Sequence, residues 1–330
     1  MKGLILCAGK GTRLYPLTRS YPKTLIPVAN IPILQTCIEK LTEQNITDIG
    51  IVISPSQERI MKDHIGTGEQ WGLKLTYIYQ HEPKGIADAV KQAEGYINKD
   101  SFLLLLGDNL ITDSLAKLML PVTSQISYAS LMLTKVDNPH GYGIAEISDH
   151  RIVHLEEKPL LPRSNLAVLG AYAFHPLIFK AIAAITPSKR GEYEITDAIQ
   201  WLINQGHPVP YHITEKQNSD IGTLERWLEA NRWMLEEMSP THRIHETCQL
   251  DNCDIIPPVA IAQGCRLKDC VIGPYVSIGA DTNIEGCHIE NSILLNQTQL
   301  KNIPYLIKDT VVGFQSVVAG LQSRGTVTDQ

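Results

Sequence analysis

The sequence predicts an α/β protein in two parts, a doubly wound sheet followed by a parallel β-helix. Two observations carry this. Apolar strands and amphipathic helices alternate through residues 2–108, and residues 248–298 fall into three rows of 17. The composition sets the limits. A chain of 330 residues with 43% hydrophobic residues can bury a full core and suggests two or three domains, or one large domain with an appendage. A net charge of −6 argues against a nucleic-acid or anionic-membrane surface. No apolar run is long enough to span a bilayer. The N-terminal apolar stretch is short and meets a Gly-rich basic turn instead of a small-residue cleavage site, which points to a cytoplasmic protein.

The elements follow in order. "KGLIL", "DIGIVIS", "LKLTYIYQ" and "SFLLLLGD" read as strands. Between them, "IPILQTCIEKLTEQN", "SQERIMKDHI" and "GIADAVKQAEGYI" carry helical periodicity. Alternation at this spacing predicts a parallel sheet, in which ligands bind beyond the carboxyl ends of the strands. Three suggestive segments sit at such ends: the turn "AGKGTR", Gln80 and Asp108. From 128 to 175 the strands "YASLMLTKV", "YGIAEI", "RIVHLEE" and "LAVLGAYAF" lack long helices between them and predict an antiparallel or mixed addition. Helices over "PLIFKAIAAI", "EYEITDAIQWLIN" and "GTLERWLEANRWMLEEM" follow. The predicted partition is 1–238, a linker over 239–247, and 248–330.

In the rows of 17, Leu250, Leu267 and Ile284 share one column, Ile255, Ile272 and Ile289 a second, and Ile261, Ile278 and Leu295 a third. A later segment, "KDTVVGFQSVV", echoes "KDCVIGPYVSI" after a short insertion. Three inward apolar residues per turn, with Gly and Asn between them, describe about four coils of a hexapeptide β-helix. The repeat also accounts for the cysteines. Cys253, Cys270 and Cys287 share a column, as do Cys248 and Cys265, and no CxxC pair marks a zinc site.

The turn "AGKGTR" fits neither common nucleotide pattern: Gly11 follows Lys10 where a P-loop needs Ser or Thr, and Leu14 stands where a dinucleotide fold needs its third glycine. What remains is physical. Gly9 and Gly11 let backbone approach a ligand and offer N–H groups, and Arg13 adds a planar fork for phosphate oxygens. Asp108 ends a strand of four leucines, where a carboxylate is costly to bury unless paired or metal-bound.

With its continuation, the stretch "GKGTRLYPLT…YPKTLIPV" resembles the signature of the sugar-1-phosphate nucleotidylyltransferases. The likeness continues through "TYIYQHEPKGIADAV", "LLLLGDNLI", "GYGIAEI", "HLEEKP", "LAVLGAYAF", "GEYEITDAIQWLI" and "SDIGTLERWLEANRWML", almost the whole chain. It is nearest the long-form glucose-1-phosphate thymidylyltransferases, whose Rossmann-like nucleotidyltransferase domain, a doubly wound mixed sheet, precedes a short left-handed β-helix. The resemblance implies a reaction in which a sugar-1-phosphate oxygen attacks the α-phosphorus of a nucleoside triphosphate, most simply dTTP with glucose-1-phosphate, and pyrophosphate leaves. It also implies roles. Ala8, Gly9, Gly11 and Thr12 would contact the nucleotide, and Arg13 would clamp the phosphates that leave. Lys23 would touch the reacting phosphates, and Gln80 and Gly85 would meet the base. Gly143, Glu157, Lys158 and Val168 would hold the sugar phosphate. Asp108 and Asp220 would bind Mg²⁺, which shares oxygen ligands with substrate phosphates.

The chain departs from that pattern at Ala8, where the branch usually has a second glycine, at Thr24, often Gln, and at Asn218-Ser219, often Trp-Lys. These positions leave open UTP, GTP or ATP with another sugar phosphate. A non-catalytic regulatory subunit of the same fold is the alternative from another class, against which Arg13, Lys23, Asp108 and Asp220 are all retained. Acyl transfer by the β-helix, with His288 as base, would need a larger coil stack. The apolar columns predict stacking and leave a homo-oligomer open.

Overall fold

Four apolar runs build the heart of the first unit. The computed structural model describes residues 1–19, 21–238 and 243–320. Strands β1 (Lys2–Leu6), β2 (Asp48–Ile53), β3 (Lys74–Tyr79) and β4 (Phe102–Leu106) are parallel, in the order β4-β1-β2-β3. They are covered by α1 (Ile33–Thr42), α2 (Glu58–Ile65), α3 (Ile86–Gln92) and α4 (Glu94–Ile97). Helix α1 buries Ile33, Leu34, Cys37, Ile38 and Leu41, the spacing of one helical face. The single helix expected over 85–97 is divided at Ala93, whose N–H closes a short bond to Val90 O at 3.0 Å and tightens the last turn of α3.

The mixed addition forms as the alternation predicts. After α5 (Ala116–Thr123) come β5 (Ala129–Lys135), β6 (Gly143–Ser148), β7 (Arg151–Glu157) and β8 (Leu166–Phe174), and later β9 (Tyr211–Ile213). Strand β8 runs antiparallel to β4 and completes the order β7-β6-β8-β4-β1-β2-β3, while β5 joins β8 to β9. The β8–β5 register shifts between Val168 and Tyr172. At its start β8 meets β6, Ala167 facing Ile144, and at its end it meets β4, Phe174 facing Phe102. The core here joins Phe102, Phe174 and Phe179, with ring centroids 5.6 and 5.9 Å from Phe102. Helices α6 (Ile178–Ala184) and α7 (Ile195–Asn204) complete the layer. A short antiparallel pair, Asn109–Ile111 with Asn218–Asp220, had no counterpart in the sequence reading.

By internal contacts the first compact unit is Met1–Leu25 with Ile33–Asp220, and the second is Ile26–Pro32 with the chain from Ile221 onward. Of the linker drawn at 239–247, residues 239–242 lie outside the described residues. The second unit holds a tight hairpin (Pro27–Val28 with Ile31–Pro32), α8 (Leu224–Met238) and the coil stack. Asn231 of α8 is almost fully buried and joins these parts. Its Oδ1 accepts from Ala29 N at 2.9 Å and from Ser277 Oγ at 2.7 Å.

Among the described residues the stack is a left-handed parallel β-helix of three sheets with five, five and four strands. Leu250, Leu267 and Ile284 pair in register, and so do Ile255, Ile272 and Ile289. One column assignment changes. Ile278 pairs with Leu294 and not Leu295, because Glu290-Asn291 turn the corner where earlier coils use three residues, such as Gly273-Pro274-Tyr275. The echo "KDTVVGFQSVV" is displaced by one side of the coil: Val312 continues the Leu294 column, and Ile307 continues the Ile289 column. The sides of such a coil look alike in sequence, so an echo does not say which side it occupies. Outward positions carry an alternating charge ladder, Asp251, Lys268, Glu285 and Lys301, with Lys301 Nζ 3.1 Å from Glu285. The inward thiols of Cys265, Cys270 and Cys287 are buried and donate to backbone carbonyls. Among the described residues no helix is long and apolar enough to cross a membrane.

Candidate active site

The parallel strands deliver their carboxyl ends to one cavity of about 270 Å³. It is bounded by Ala8 and Gly9 after β1, Gln80 after β3, Asp108 after β4, and Lys23 and Gly85. Six of the residues expected from sequence therefore meet here. The loop after β1 turns at Gly11, where φ is +61°, and is pinned by Thr18 Oγ1 donating to Gly11 O at 2.7 Å and by the buried side chain of Leu14. Among the described residues, the N–H groups of Gly9, Lys10, Gly11 and Thr12 have no hydrogen-bond partner. Consecutive unpartnered N–H groups in a turn make an anion cradle. Gly11, Thr12 and Arg13 are not part of the cavity wall, and the Arg13 side chain is 65% exposed.

Beside this loop, Lys23 is 7% exposed and gathers the two candidate metal carboxylates. Its Nζ donates to Asp108 Oδ2 at 2.5 Å and to Asp220 Oδ1 at 3.2 Å, and Arg13 Nη2 lies 3.8 Å from Asp220 Oδ2. Asp220 reaches this place because its strand pairs with Asn109–Ile111, setting Asp220 opposite Asn109, the neighbour of Asp108. With the Asn109 amide oriented as its neighbours require, its nitrogen donates to Asp108 Oδ1 at 3.0 Å and its oxygen accepts from Gly170 N at 3.1 Å.

Among the described residues no group of three or more His, Cys, Asp or Glu could hold a metal alone. Two carboxylates converging on one cation suit Mg²⁺, which takes one or two carboxylates and completes its shell with phosphate oxygens and water. The residues present fit that group. Cys7, also on the cavity wall, is inert: burial pushes its thiol up to about 12.

At the other end, Gly85 has φ +105° and opens α3. A Cβ there would lie 2.5 Å from Tyr193 O, so only glycine fits between the two chain segments. Tyr193 N donates to Lys84 O at 2.7 Å, and Ala87 N donates to Tyr193 O at 3.0 Å, which ties the segment to residues 192–193.

The four residues expected on the sugar side do not line the cavity. Three lie against one another: Glu157 faces Gly143 across the β7–β6 ladder, and a Cβ on Gly143 would touch Glu157 and Val168. Lys158 follows at φ +45°, its Nζ 3.8 Å from Glu157. Burial raises the Glu157 carboxyl above its usual value, and the neighbouring Glu194 raises it further. Thr196 Oγ1 donates to Glu157 at 3.3 Å. The sequence reading assigned no role to Arg190. It lies 3.7 Å from Glu157, 3.1 Å from Glu192 on the cavity wall and 3.3 Å from the buried Glu194. The only signal for it was the charge run "KRGEYE", in which Arg190 stands just before the segment "GEYEITDAIQWLI" noted for its likeness.

Residues 2–237 match the Nucleotidyl transferase family. A glucose-1-phosphate thymidylyltransferase of Streptomyces griseus is 42% identical over 241 residues, 73% of this chain and 68% of the relative. A UTP–glucose-1-phosphate uridylyltransferase of Haloferax volcanii is 35% identical, covering 72% of this chain and 98% of its own. A solved Bacillus anthracis chain, described as a glucose-1-phosphate thymidylyltransferase in complex with sucrose, superposes with a TM-score of 0.66 at 35% identity, covering 70% of this chain and 94% of that one. On these matches the chain is a nucleotidyltransferase and belongs to the sugar-1-phosphate nucleotidylyltransferase family.

Proposed function

We propose that the protein transfers a thymidylyl group from dTTP to glucose-1-phosphate, releasing pyrophosphate and forming a nucleotide sugar. The observation that carries this is the joined group of Lys23, Asp108 and Asp220 beside a loop of unpartnered N–H groups and a cavity with an amide at its far end. The substrates follow the thymidylyltransferase relatives, which are the more similar. The uridylyltransferase relative supports UTP as the second reading.

In this reading the N–H groups of Gly9 to Thr12 cradle the triphosphate, and Arg13 swings from Asp220 onto the phosphates that depart. Lys23 moves its ammonium from the two carboxylates to the reacting phosphate, where negative charge grows as the sugar phosphate oxygen attacks. Asp108 and Asp220 would then hold Mg²⁺, which supplies charge neutralisation at the phosphate oxygens. Glu157 accepts from sugar hydroxyls, while Gly143 and Val168 fix the ring and Lys158 meets its phosphate. Catalysis is assigned to 1–238, with 239–247 as linker and 248–330 as the β-helix part. The test is pyrophosphate release with Mg²⁺ and glucose-1-phosphate, with dTTP, UTP, GTP, CTP and ATP offered separately. Sugar-dependent release fastest with dTTP supports the reading. Fastest release with another nucleotide moves the substrate, and no release across a panel of sugar phosphates sinks it.

A further inference from the structure

Resting on the nucleotidyl-transfer reading, we infer that Asp88 decides which bases the cavity accepts, by fixing the polarity of the Gln80 amide. Gln80 follows β3, is 6% exposed and lines the cavity. Its Nε2 donates to Asp88 Oδ2 at 2.7 Å and to Gly85 O at 3.2 Å. A carboxylate and a carbonyl both only accept, so the amide nitrogen must face them; the flipped amide would set three oxygens together. Asp88 is held in turn by Gln92 Nε2, one turn along α3, at 3.3 Å.

The lock leaves Gln80 Oε1 to the cavity. It has no hydrogen bond among the described residues, and neither has the N–H of Gly85. The wall therefore offers an acceptor from Gln80 and a donor from Gly85. That pair matches a base edge with a ring N–H beside a carbonyl, as in thymine, uracil and guanine. In the pose that sets the ring N–H of thymine against Gln80 Oε1, cytosine and adenine place a ring nitrogen acceptor there and an amino donor against the Gly85 N–H, and so oppose both groups. Asp88 touches no ligand; it is a positioning residue acting through Gln80.

The experiment measures binding of dTTP, UTP, dCTP and ATP by calorimetry, without sugar phosphate, to the wild-type protein, Asp88→Ala and Asp88→Asn. The kcat and KM for pyrophosphate release follow. The wild type should prefer dTTP and UTP. Asp88→Ala frees the amide to turn, and should cut the dTTP-over-dCTP preference roughly tenfold, through KM, with kcat on saturating dTTP nearly unchanged. Asp88→Asn still offers an oxygen to Gln80 and should restore most of the preference. An unchanged preference in Asp88→Ala, or equal weakening of all four nucleotides with a lower melting temperature, overturns the inference. So does a wild type that binds dTTP and dCTP equally. A wild type that binds with this preference yet releases no pyrophosphate supports the base reading and fails the transfer reading.

Discussion

Removing the Lys23 ammonium tests whether the lysine and a divalent cation share one place. The Nζ contacts lie at 2.5 and 3.2 Å from the two carboxylates. At an effective dielectric of 20 each contact is a gross attraction of about 5–7 kcal/mol. Burying the ammonium and stripping water from the carboxylates offsets most of it. Hydrogen bonds to charged groups retain about 1.5–3 kcal/mol net. A divalent cation arriving between Asp108 and Asp220 must displace that ammonium and give up this amount. Lys23→Met deletes the competitor while keeping the stem. The nucleotide-free variant should therefore bind Mn²⁺ or Mg²⁺ about tenfold to a hundredfold more tightly than the wild type. Sugar-dependent pyrophosphate release should fall at least about a hundredfold, because no cation then follows the reacting phosphate. Calorimetric Mn²⁺ titration reads the first effect, and a melting curve confirms the fold. Unchanged or weaker Mn²⁺ binding in a folded variant would refute the reasoning.

Three further outcomes can be checked. Gly85→Ala places a Cβ 2.5 Å from Tyr193 O at φ +105°, so it should cost about 2–3 kcal/mol in denaturant unfolding and raise nucleotide KM more than sugar-phosphate KM; a neutral result would mean the two segments separate freely. Burial, reinforced by Glu194, raises the Glu157 carboxyl above 4.5, so it protonates at higher pH than an ordinary glutamate. On acidification the KM for sugar phosphate should climb before the nucleotide KM does, and parallel pH profiles would count against the assignment. Asp113 pairs with His212 of β9 at 2.9 Å. Burial alone would raise its carboxyl, but hydrogen bonds from His212, Thr214 and the Ser114 N–H outweigh it and hold it at about 2, below the usual 3.8. The depressed value stabilises the fold above about pH 4, and this is lost as pH falls through 2. At neutral pH Asp113→Asn should cost about 2 kcal/mol, and its unfolding should depend less on pH between 4 and 2.

What was legible in the sequence was what local periodicity records. The run "FLLLL" announces a strand covered on both faces, and Asp108 stands out because it ends that run. The coil columns at Leu250, Leu267 and Ile284 follow from a fixed repeat. What escaped depends on pairing over distance. Nothing local to Asn218-Ser219-Asp220 says that it pairs with Asn109–Ile111, yet this ladder brings Asp220 to Lys23. Arg190 was hidden because a charge run in a loop looks like solvated surface until Glu157, Glu192 and Glu194 are seen around it. The slip from Leu294 to Leu295 arose because both are apolar and a repeat does not reveal a corner shortened by one residue. The hairpin at Pro27–Pro32 lay inside a stretch whose proline and lysine drew attention to phosphate chemistry instead.

In the proposed reading the two ends of the site are prepared differently, and this would order the events on ligand arrival. The base end is set in advance: Gly85 is wedged against Tyr193, and the Gln80 amide is held by two acceptors. A base that matches meets groups that need not move. The cations on the phosphate and sugar side are engaged with the protein's own carboxylates, Lys23 with Asp108 and Asp220, and Arg190 with Glu157, Glu192 and Glu194. In the proposed reading Lys23 must exchange these internal anions for a ligand phosphate. The first phosphate therefore meets what is already open, the N–H groups of Gly9 to Thr12 and the exposed Arg13, whose contact to Asp220 is long at 3.8 Å. Only a ligand anchored there and at Gln80 competes with Asp108 and Asp220 for Lys23 at the high effective concentration that displacement needs. A free phosphate lacks the base anchor and leaves the lysine with its carboxylates. In the proposed reading, the ion-paired resting state would thus withhold the reacting cation until base and triphosphate are both in place.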